Sequence, residues 1–297
     1  MKFLSQVRLD NDATWIDSIT GCRKNNLAQF NRLKPLIIDV YPTYDTLISN
    51  YEDSIANGIF HQDDQEADNP RKDLMIDYYE HPPKKLSELI SKRRKEHGLN
   101  ECPYCGNPKS PDTLDHFIPK GKWSEFSIYP NNLVPQCREC APIKSEKYYS
   151  EIQSSAIYIH PFYYDLLSNI GFKISVTLQN SKFNYDVSFK MRREFNDREQ
   201  SRIILHLEEL DVKNRIIKYC RNETSHWIRV QKAYINDAVA SFNMRINENG
   251  GAVHDNWKVA LYKGYVSNHH VINYFNSLCP RTEVVVPPDV DFGSVDF

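Results

Sequence analysis

Two Cys-x-x-Cys pairs constrain this 297-residue sequence more than any other feature. Cys102 and Cys105 form the first pair, and Cys137 and Cys140 form the second. Four thiolates have the number and the softness that a closed tetrahedral zinc site requires. We therefore predict a structural Zn²⁺ bound by these four cysteines, with no coordination position left for catalysis. Such a site contributes on the order of 10 kcal/mol to the folding of a short, loop-rich segment.

The other cysteines and the absence of apolar runs limit the alternatives. Cys22, Cys220 and Cys279 stand alone, and we expect them to be small packed side chains without chemistry. The first residues contain no signal-peptide pattern, and nowhere do about 18 apolar residues follow one another. We therefore expect a cytoplasmic protein with no membrane contact, in which thiols stay reduced and disulfides are not expected. A four-cysteine redox protein, with freely titrating thiols, stays open as an alternative.

The apolar pattern predicts an α+β protein that is mostly helical and is organised in three regions. Residues 1–98 are expected to form an N-terminal helical region, with Pro35 and Pro42 as breaks. Residues 99–150 are rich in turns and carry both cysteine pairs, so we treat them as a metal-binding module. Residues 151–297 are expected to contain a β-hairpin, further helices and an extended C-terminal tail.

Two elements in these flanks have the clearest patterns. Residues 84–98 place Leu86, Leu89 and Ile90 on one helical face and end at Gly98. Residues 171–190 alternate apolar and polar side chains on both sides of a Gln-Asn-Ser-Lys turn, which predicts the hairpin.

The segment between the cysteine pairs contains LDHFIPK, residues 114–120. A carboxylate beside an imidazole suits hydrolysis, because Asp115 can bind a hard divalent cation while His116 accepts a proton from water. An isolated Asp-His dipeptide is more often structural. Its place between the two cysteine pairs favours the catalytic interpretation.

The ordered motifs CPYC, LDHFIPK, NNLVPQC, CREC and IKSEKY resemble the HNH endonucleases of the ββα-metal type with a four-cysteine zinc site. The resemblance covers about residues 100–150. It implies that His116 is the general base, that Asp115 binds a catalytic Mg²⁺ or Mn²⁺, and that Asn132 orients the histidine. Asn131 is the alternative to Asn132.

The sequence departs from this family at Ala141, where the family has a second protein ligand, His or Asn, for the catalytic metal. A methyl group cannot coordinate a cation. Three explanations are open: a deliberately inactivated variant, a natural loss of activity, or a substitute ligand such as Asn131, Glu146 or a water. We favour the first, because every other element of the motif is intact.

Four cations are candidates for contact with a nucleic acid. Lys144 stands in the family's C..C...K position and is expected to meet a phosphate. Lys120 follows the Asp-His motif, and Arg93 and Arg94 belong to a basic run that leads into the first cysteine pair. The alternative for this run is a solvated helix face.

The flanks are similar to the HNH subunits of Septu-type and retron-linked anti-phage defence systems. This looser resemblance implies an SMC-like or ABC-type ATPase partner, and in the retron case a reverse transcriptase with its RNA-DNA product. His160 would then lie near the site, although a histidine before proline is more often structural. The rival function is a zinc-ribbon module that only binds nucleic acid or protein, in which Ala141 is natural. Sequence does not distinguish DNA from RNA as the substrate, because the chemistry acts on the phosphate.

Overall fold

The computed structural model describes residues 1–10, 14–53, 58–60, 70–234, 237–248 and 256–280. The helices of this part are α1 Thr14–Asp17, α2 Leu27–Val40, α3 Tyr44–Ser49, α4 Pro70–Glu80, α5 Lys84–Lys95, α6 Ala141–Lys144, α7 Asp197–Glu209, α8 Val212–Ala233, α9 Ala238–Glu248, α10 Trp257–Val266 and α11 His269–Ser277. The strands are β1 Thr113–His116, β2 Leu133–Gln136, β3 Tyr149–Ser150, β4 Ser155–Ala156, β5 Ile170–Gln179 and β6 Lys182–Met191. The strands pair as three two-stranded sheets: β1 with β2, β3 with β4, and β5 with β6. The α+β class is confirmed, with helices predominating. The predicted extended tail begins at Pro280, and all of it beyond that residue lies outside the described residues.

The chain forms two compact units. The first contains residues 1–172 and 189–215, and the second contains residues 173–188 and 216–297. The predicted region boundaries at 98 and 150 both fall inside the first unit, which holds both cysteine pairs. Among the described helices, none is long and apolar enough to cross a membrane.

The hairpin and the basic helix form as predicted. Strands β5 and β6 are joined by Asn180 and Ser181, whose φ angles of 49° and 59° are those of a type I′ turn. Helix α5 buries Leu86 and Ile90, and Gly98 beyond its end has a φ of 65°. The sequence predicts both elements because the spacing of apolar residues and the residues at the turn or helix end indicate the same structure.

The predicted break at Pro35 is wrong, because helix α2 continues through it to Val40. Leu33 and Ile37, on either side of the proline, are both buried. Their packing outweighs the backbone hydrogen bond that proline cannot donate. Pro42 does follow the end of the helix, in a short 3₁₀ turn.

The core of the second unit is aromatic. Phe242 lies 4.9 Å from the Trp227 ring and 4.9 Å from the Tyr265 ring, measured between ring centroids. A hypothetical Cβ at Gly264 would lie 2.4 Å from the carbonyl oxygen of Ile174. Helix α10 therefore needs glycine at this position to approach strand β5.

Candidate metal centre and active site

The four predicted zinc ligands lie together in the first unit. All four cysteine sulfurs are within 4.8 Å of one another, and all four residues are buried. The sulfurs of Cys105 and Cys137 are 3.8 Å apart, which equals the separation of about 3.8 Å that zinc–sulfur bonds of about 2.3 Å produce in a tetrahedron. The cluster therefore fits a tetrahedral metal ion.

The first knuckle is shaped by backbone hydrogen bonds. The amide of Gly106 donates to the carbonyl of Cys102, and the amide of Cys102 donates to the carbonyl of Asn107. The positive φ of 74° at Gly106 lets the chain turn back over the sulfurs. The second knuckle closes through the amide of Cys140, which donates to the carbonyl of Cys137.

Between and after the knuckles, two antiparallel strands are followed by a short helix. Strand β1 pairs with β2 so that Asp115 faces Val134 and His116 faces Leu133. Helix α6 begins at Ala141, directly after the second knuckle. The knuckles thus position the Asp-His pair on one strand and Ala141 on the helix that follows the other strand.

Asp115 is enclosed by the protein. Its side chain is 8% exposed, and its Oδ2 atom accepts a hydrogen bond of 2.8 Å from the Tyr104 hydroxyl. Its Oδ1 atom lies 3.1 Å from the Lys144 ammonium. Burial raises the pKa of Asp115, and the charge of Lys144 opposes this shift. Both carboxylate oxygens therefore have partners within the protein.

Lys144 lies inside the protein rather than on its surface. The side chain is fully buried, and Nζ also donates to the carbonyls of His116 and Phe117 at 3.1 and 3.2 Å. The ammonium lies 5.4 Å from the centre of the Tyr158 ring. The predicted phosphate contact by Lys144 is not possible in this arrangement, because three oxygens of the protein surround the ammonium instead.

His116 is partly exposed, and its orientation is determined by one hydrogen bond. Nε2 lies 2.9 Å from the carbonyl oxygen of Ser127. A carbonyl only accepts, so Nε2 carries the hydrogen and Nδ1 keeps its lone pair. The Tyr79 ring packs edge-on against the imidazole, with 4.3 Å between centroids. Desolvation of the imidazole by the side chains packed around it lowers the pKa of His116 to about 3, which keeps the ring neutral.

Asn132 stabilises the loops around His116, and its side-chain hydrogen bonds go to residues other than the histidine. The prediction that Asn132 orients His116 through hydrogen bonding therefore holds only indirectly. Its Oδ1 atom accepts from the Ile118 amide at 2.7 Å and from the Tyr44 hydroxyl at 2.9 Å. Its Nδ2 atom donates to the carbonyls of Ile118 and Phe126. Asn132 therefore holds the backbone two residues after the histidine.

Asn131 is not available as a substitute for the metal ligand that is missing at Ala141. The side chain of Asn131 bonds to the backbone of Leu9 through both its amide oxygen and its amide nitrogen, at 2.8 and 2.7 Å. Asn131 therefore anchors the N-terminal segment. Glu146 is exposed, two residues after helix α6.

The three other candidate cations differ in exposure. Arg93 is buried and donates to the carbonyl of Val7 at 2.8 Å, so it stabilises the interior of the first unit. Lys120 is partly exposed and pairs with Glu80 at 2.6 Å. Arg94 is half-buried, and its positive charge opposes the rise that burial causes in the pKa of Tyr79, the residue that packs on His116. Contact of Lys120 and Arg94 with a nucleic acid therefore stays a prediction. Arg93 is buried and does not present its charge at the surface.

Three further buried residues support the site, and of these only His160 was predicted to lie near it. The Tyr44 hydroxyl contacts Asn132, and Nε2 of His160 lies 3.0 Å from the carbonyl of Asn131. The structural interpretation of His160 agrees with its complete burial. His206 accepts from the Ile159 amide at 3.1 Å and donates to the Tyr104 carbonyl, inside the first knuckle, at 2.8 Å. Spacing along the chain contains no signal for these contacts.

We expect His206 to make the first unit sensitive to acid. Burial lowers its pKa to about 4 from an ordinary value of 6.5. Below about pH 6.5 the unfolded chain binds a proton that the folded chain does not bind until about pH 4. The free energy of unfolding should therefore fall by about 3 kcal/mol over this window.

His206→Gln keeps one acceptor and one donor, so it should remove this share of the pH dependence in urea unfolding followed between pH 7 and pH 4. The matched control is His226→Gln, at an exposed histidine, which should retain the wild-type dependence. Equal pH dependence of His206→Gln and wild type would contradict the assignment.

Comparisons with known proteins identify no family. No protein-family model matches the sequence, and no solved structure matches it. Protein ea31 of Escherichia phage lambda is 48% identical over 40 residues. The match covers 14% of this chain and 14% of that protein, so the similarity is local.

Proposed function

We propose that residues 99–150 form a phosphodiester-hydrolysing site of the HNH type, with His116 as the general base, and that Ala141 blocks it in the present sequence. The observation that carries the proposal is the orientation of His116. The Ser127 carbonyl holds the Nε2 hydrogen, so the lone pair of Nδ1 is the one that can remove a proton from water. The order of strand, strand and short helix, clamped by two cysteine pairs, supports the same proposal.

We further propose that the cysteine cluster holds zinc in a structural role. Four sulfur ligands complete a tetrahedral shell, so the ion would stabilise the fold without binding substrate. The buried sulfurs and their tetrahedral spacing support zinc over a free-thiol redox centre.

The catalytic metal does not fit the residues of the present sequence. A divalent cation at such a site would stabilise charge on the phosphate. Asp115 is the predicted ligand, but both of its oxygens have protein partners, Lys144 and Tyr104. Ala141 adds no ligand. For the present sequence we therefore propose only that the fold positions His116 as a base, and we propose no step that uses a catalytic metal.

One basic cleft of the first unit supports a nucleic acid as the ligand. A cleft of about 470 Å³ in the first unit is lined by Arg23, Lys24, Lys84 and Lys85. Lys24 is paired with Asp77 at 2.6 Å, so among the described residues Arg23, Lys84 and Lys85 supply the uncompensated positive charge that the proposal uses. Such a concentration of cations attracts a phosphate backbone. The same proposal includes a role in anti-phage defence with an ATPase partner and a retron partner. This part is supported only by the resemblance of the flanks.

A binding module without catalysis is the second candidate, and the Asp115–Lys144 ion pair is the observation that favours it. A lysine ammonium already neutralises the carboxylate that a metal would need. On this reading Ala141 is natural and the cysteine cluster only presents basic surface.

Restoring the missing ligand separates the two candidates. Ala141→Asn and Ala141→His should cleave plasmid DNA or RNA with Mg²⁺ or Mn²⁺, alone or with an ATPase encoded beside the gene. Adding His116→Ala should reduce this rate by about 10²–10⁴-fold, the usual contribution of a general base. The readouts are gel-based nicking and labelled-RNA assays, with zinc content confirming an intact fold.

The nuclease proposal fails if the restored proteins cut neither substrate, or if they cut equally well without His116. Nucleic-acid binding without cleavage by all of these variants would support the binding module.

A further inference from the structure

We propose that Arg215 is the cation that compensates the charge of the cysteine cluster and suppresses the reactivity of its sulfurs. Arg215 lies 75 residues after Cys140, the last cysteine of the cluster, near the start of helix α8. Its Nη1 atom is 3.2 Å from the sulfur of Cys140. Its Nη2 atom is 3.5 Å from Cys105 and 3.6 Å from Cys137. One guanidinium thus donates to three of the four sulfurs.

The charge of the cluster explains why a cation is needed there. Four thiolates around one Zn²⁺ carry a net charge of about −2, and all four cysteines are buried. Uncompensated charge in such a place is costly, and a guanidinium is the cation best suited to partly buried sites with several acceptors. Arg215 has a side chain that is only 9% exposed, so solvent screens the interaction little.

Two further contacts fix the orientation of the guanidinium. Nη1 donates to the carbonyl of Leu210 at 3.2 Å. Nη2 lies 3.6 Å from Glu139, which stands between the two cysteines of the second knuckle and pairs with Lys109 at 3.3 Å. The sulfurs, the backbone and the carboxylate therefore hold the N–H groups towards the cluster.

These hydrogen bonds have a chemical consequence. A metal-bound sulfur is already a thiolate, so a nearby cation no longer increases the thiolate fraction. An N–H bond to its lone pair then only lowers its nucleophilicity, and it attacks electrophiles and oxidants more slowly. It also transfers charge to a bound metal less readily, which raises the energy of the sulfur-to-metal absorption band. Arg215 is thus a positioning residue for the cluster, and it would keep the site structural rather than reactive.

The experiment compares Arg215→Met and Arg215→Lys with wild type in the full-length protein. Each protein is loaded with zinc, and metal release by methyl methanethiosulfonate is followed with a chromogenic chelator. Arg215→Met should release zinc about tenfold faster, an effect of about 1.4 kcal/mol, and Arg215→Lys, which retains charge but not the fork, should be intermediate. In the Co²⁺-loaded proteins the sulfur-to-cobalt band should shift to lower energy in the same order.

Arg229→Met is the matched control, because Arg229 is an exposed arginine of the same helix. It should match wild type in both measurements. The inference rests on the proposed zinc site, and the zinc content of the wild-type protein, measured first, tests that site separately. Wild-type release rates and band positions in a folded Arg215→Met protein would overturn the role of Arg215. If Arg215→Met does not fold, Arg215→Lys decides, and wild-type values in both measurements overturn the role.

Discussion

Replacing Cys105 by serine is expected to abolish stable metal binding and to unfold the cysteine-bearing part of the first unit. Structural zinc sites contribute about 10–16 kcal/mol to folding, which equals or exceeds the whole stability of an ordinary domain, about 5–15 kcal/mol. The residues around the cluster form only short strands and a four-residue helix, so their own packing is a weak substitute. Zinc content per chain, circular dichroism and limited proteolysis measure the effect. Prolonged exposure to a strong zinc chelator should reproduce it in the wild-type protein.

Cys220→Ser is the matched control, since Cys220 is also buried but lies in the second unit, outside the cluster. This variant should keep one zinc per chain and lose only about 1–3 kcal/mol, the cost of a buried polar group. A Cys105→Ser protein that retains one equivalent of zinc and resists protease like wild type would show that the cluster does not support the fold.

Replacing Lys144 by methionine is expected to destabilise the first unit by about 3–5 kcal/mol, because the variant leaves the Asp115 carboxylate buried without its counter-charge. Lys144 is 0% exposed and Asp115 is 8% exposed, so water screens the pair little. Equilibrium unfolding in urea of the zinc-loaded protein measures the loss.

The double variant Asp115→Asn with Lys144→Met should recover most of this stability, since removing both charges removes the unpaired one. The surface control is Lys147→Met, where the ion pair with Glu209 is half exposed and should contribute less than about 1 kcal/mol. Equal losses in Lys144→Met and Lys147→Met would refute the idea that the buried pair matters to the fold.

Several features follow from the sequence because they depend on residues close together along the chain. Spacing within each Cys-x-x-Cys pair places two sulfurs on one knuckle, so a four-sulfur cluster was predictable once two knuckles were present. Helix α5 and the β5–β6 hairpin were also predictable, since apolar period and turn residues agree there. Pro35 shows the limit of such rules, because the packing of Leu33 and Ile37 keeps the helix intact.

The candidate site was predicted in its composition and only partly in its contacts. His116 and Asp115 do lie on a strand between the knuckles. Their partners lie outside that strand. The Ser127 carbonyl orients the histidine, the Tyr104 hydroxyl donates to one carboxylate oxygen of Asp115, and the Lys144 ammonium pairs with the other. Lys144 was predicted to be a surface cation and is buried. The sequence gives the charge of a side chain but not the direction in which it points.

The sequence by itself determined which atoms are available: four soft sulfurs in two pairs, an imidazole beside a carboxyl group, and a methyl group at position 141. The tertiary structure decided how those atoms are paired. His206 reaches the first knuckle across 102 residues of chain, and Arg215 reaches the Cys105 sulfur across 110. Burial makes these distant contacts necessary, because each buried charge or polar group needs a partner that only folding can bring to it.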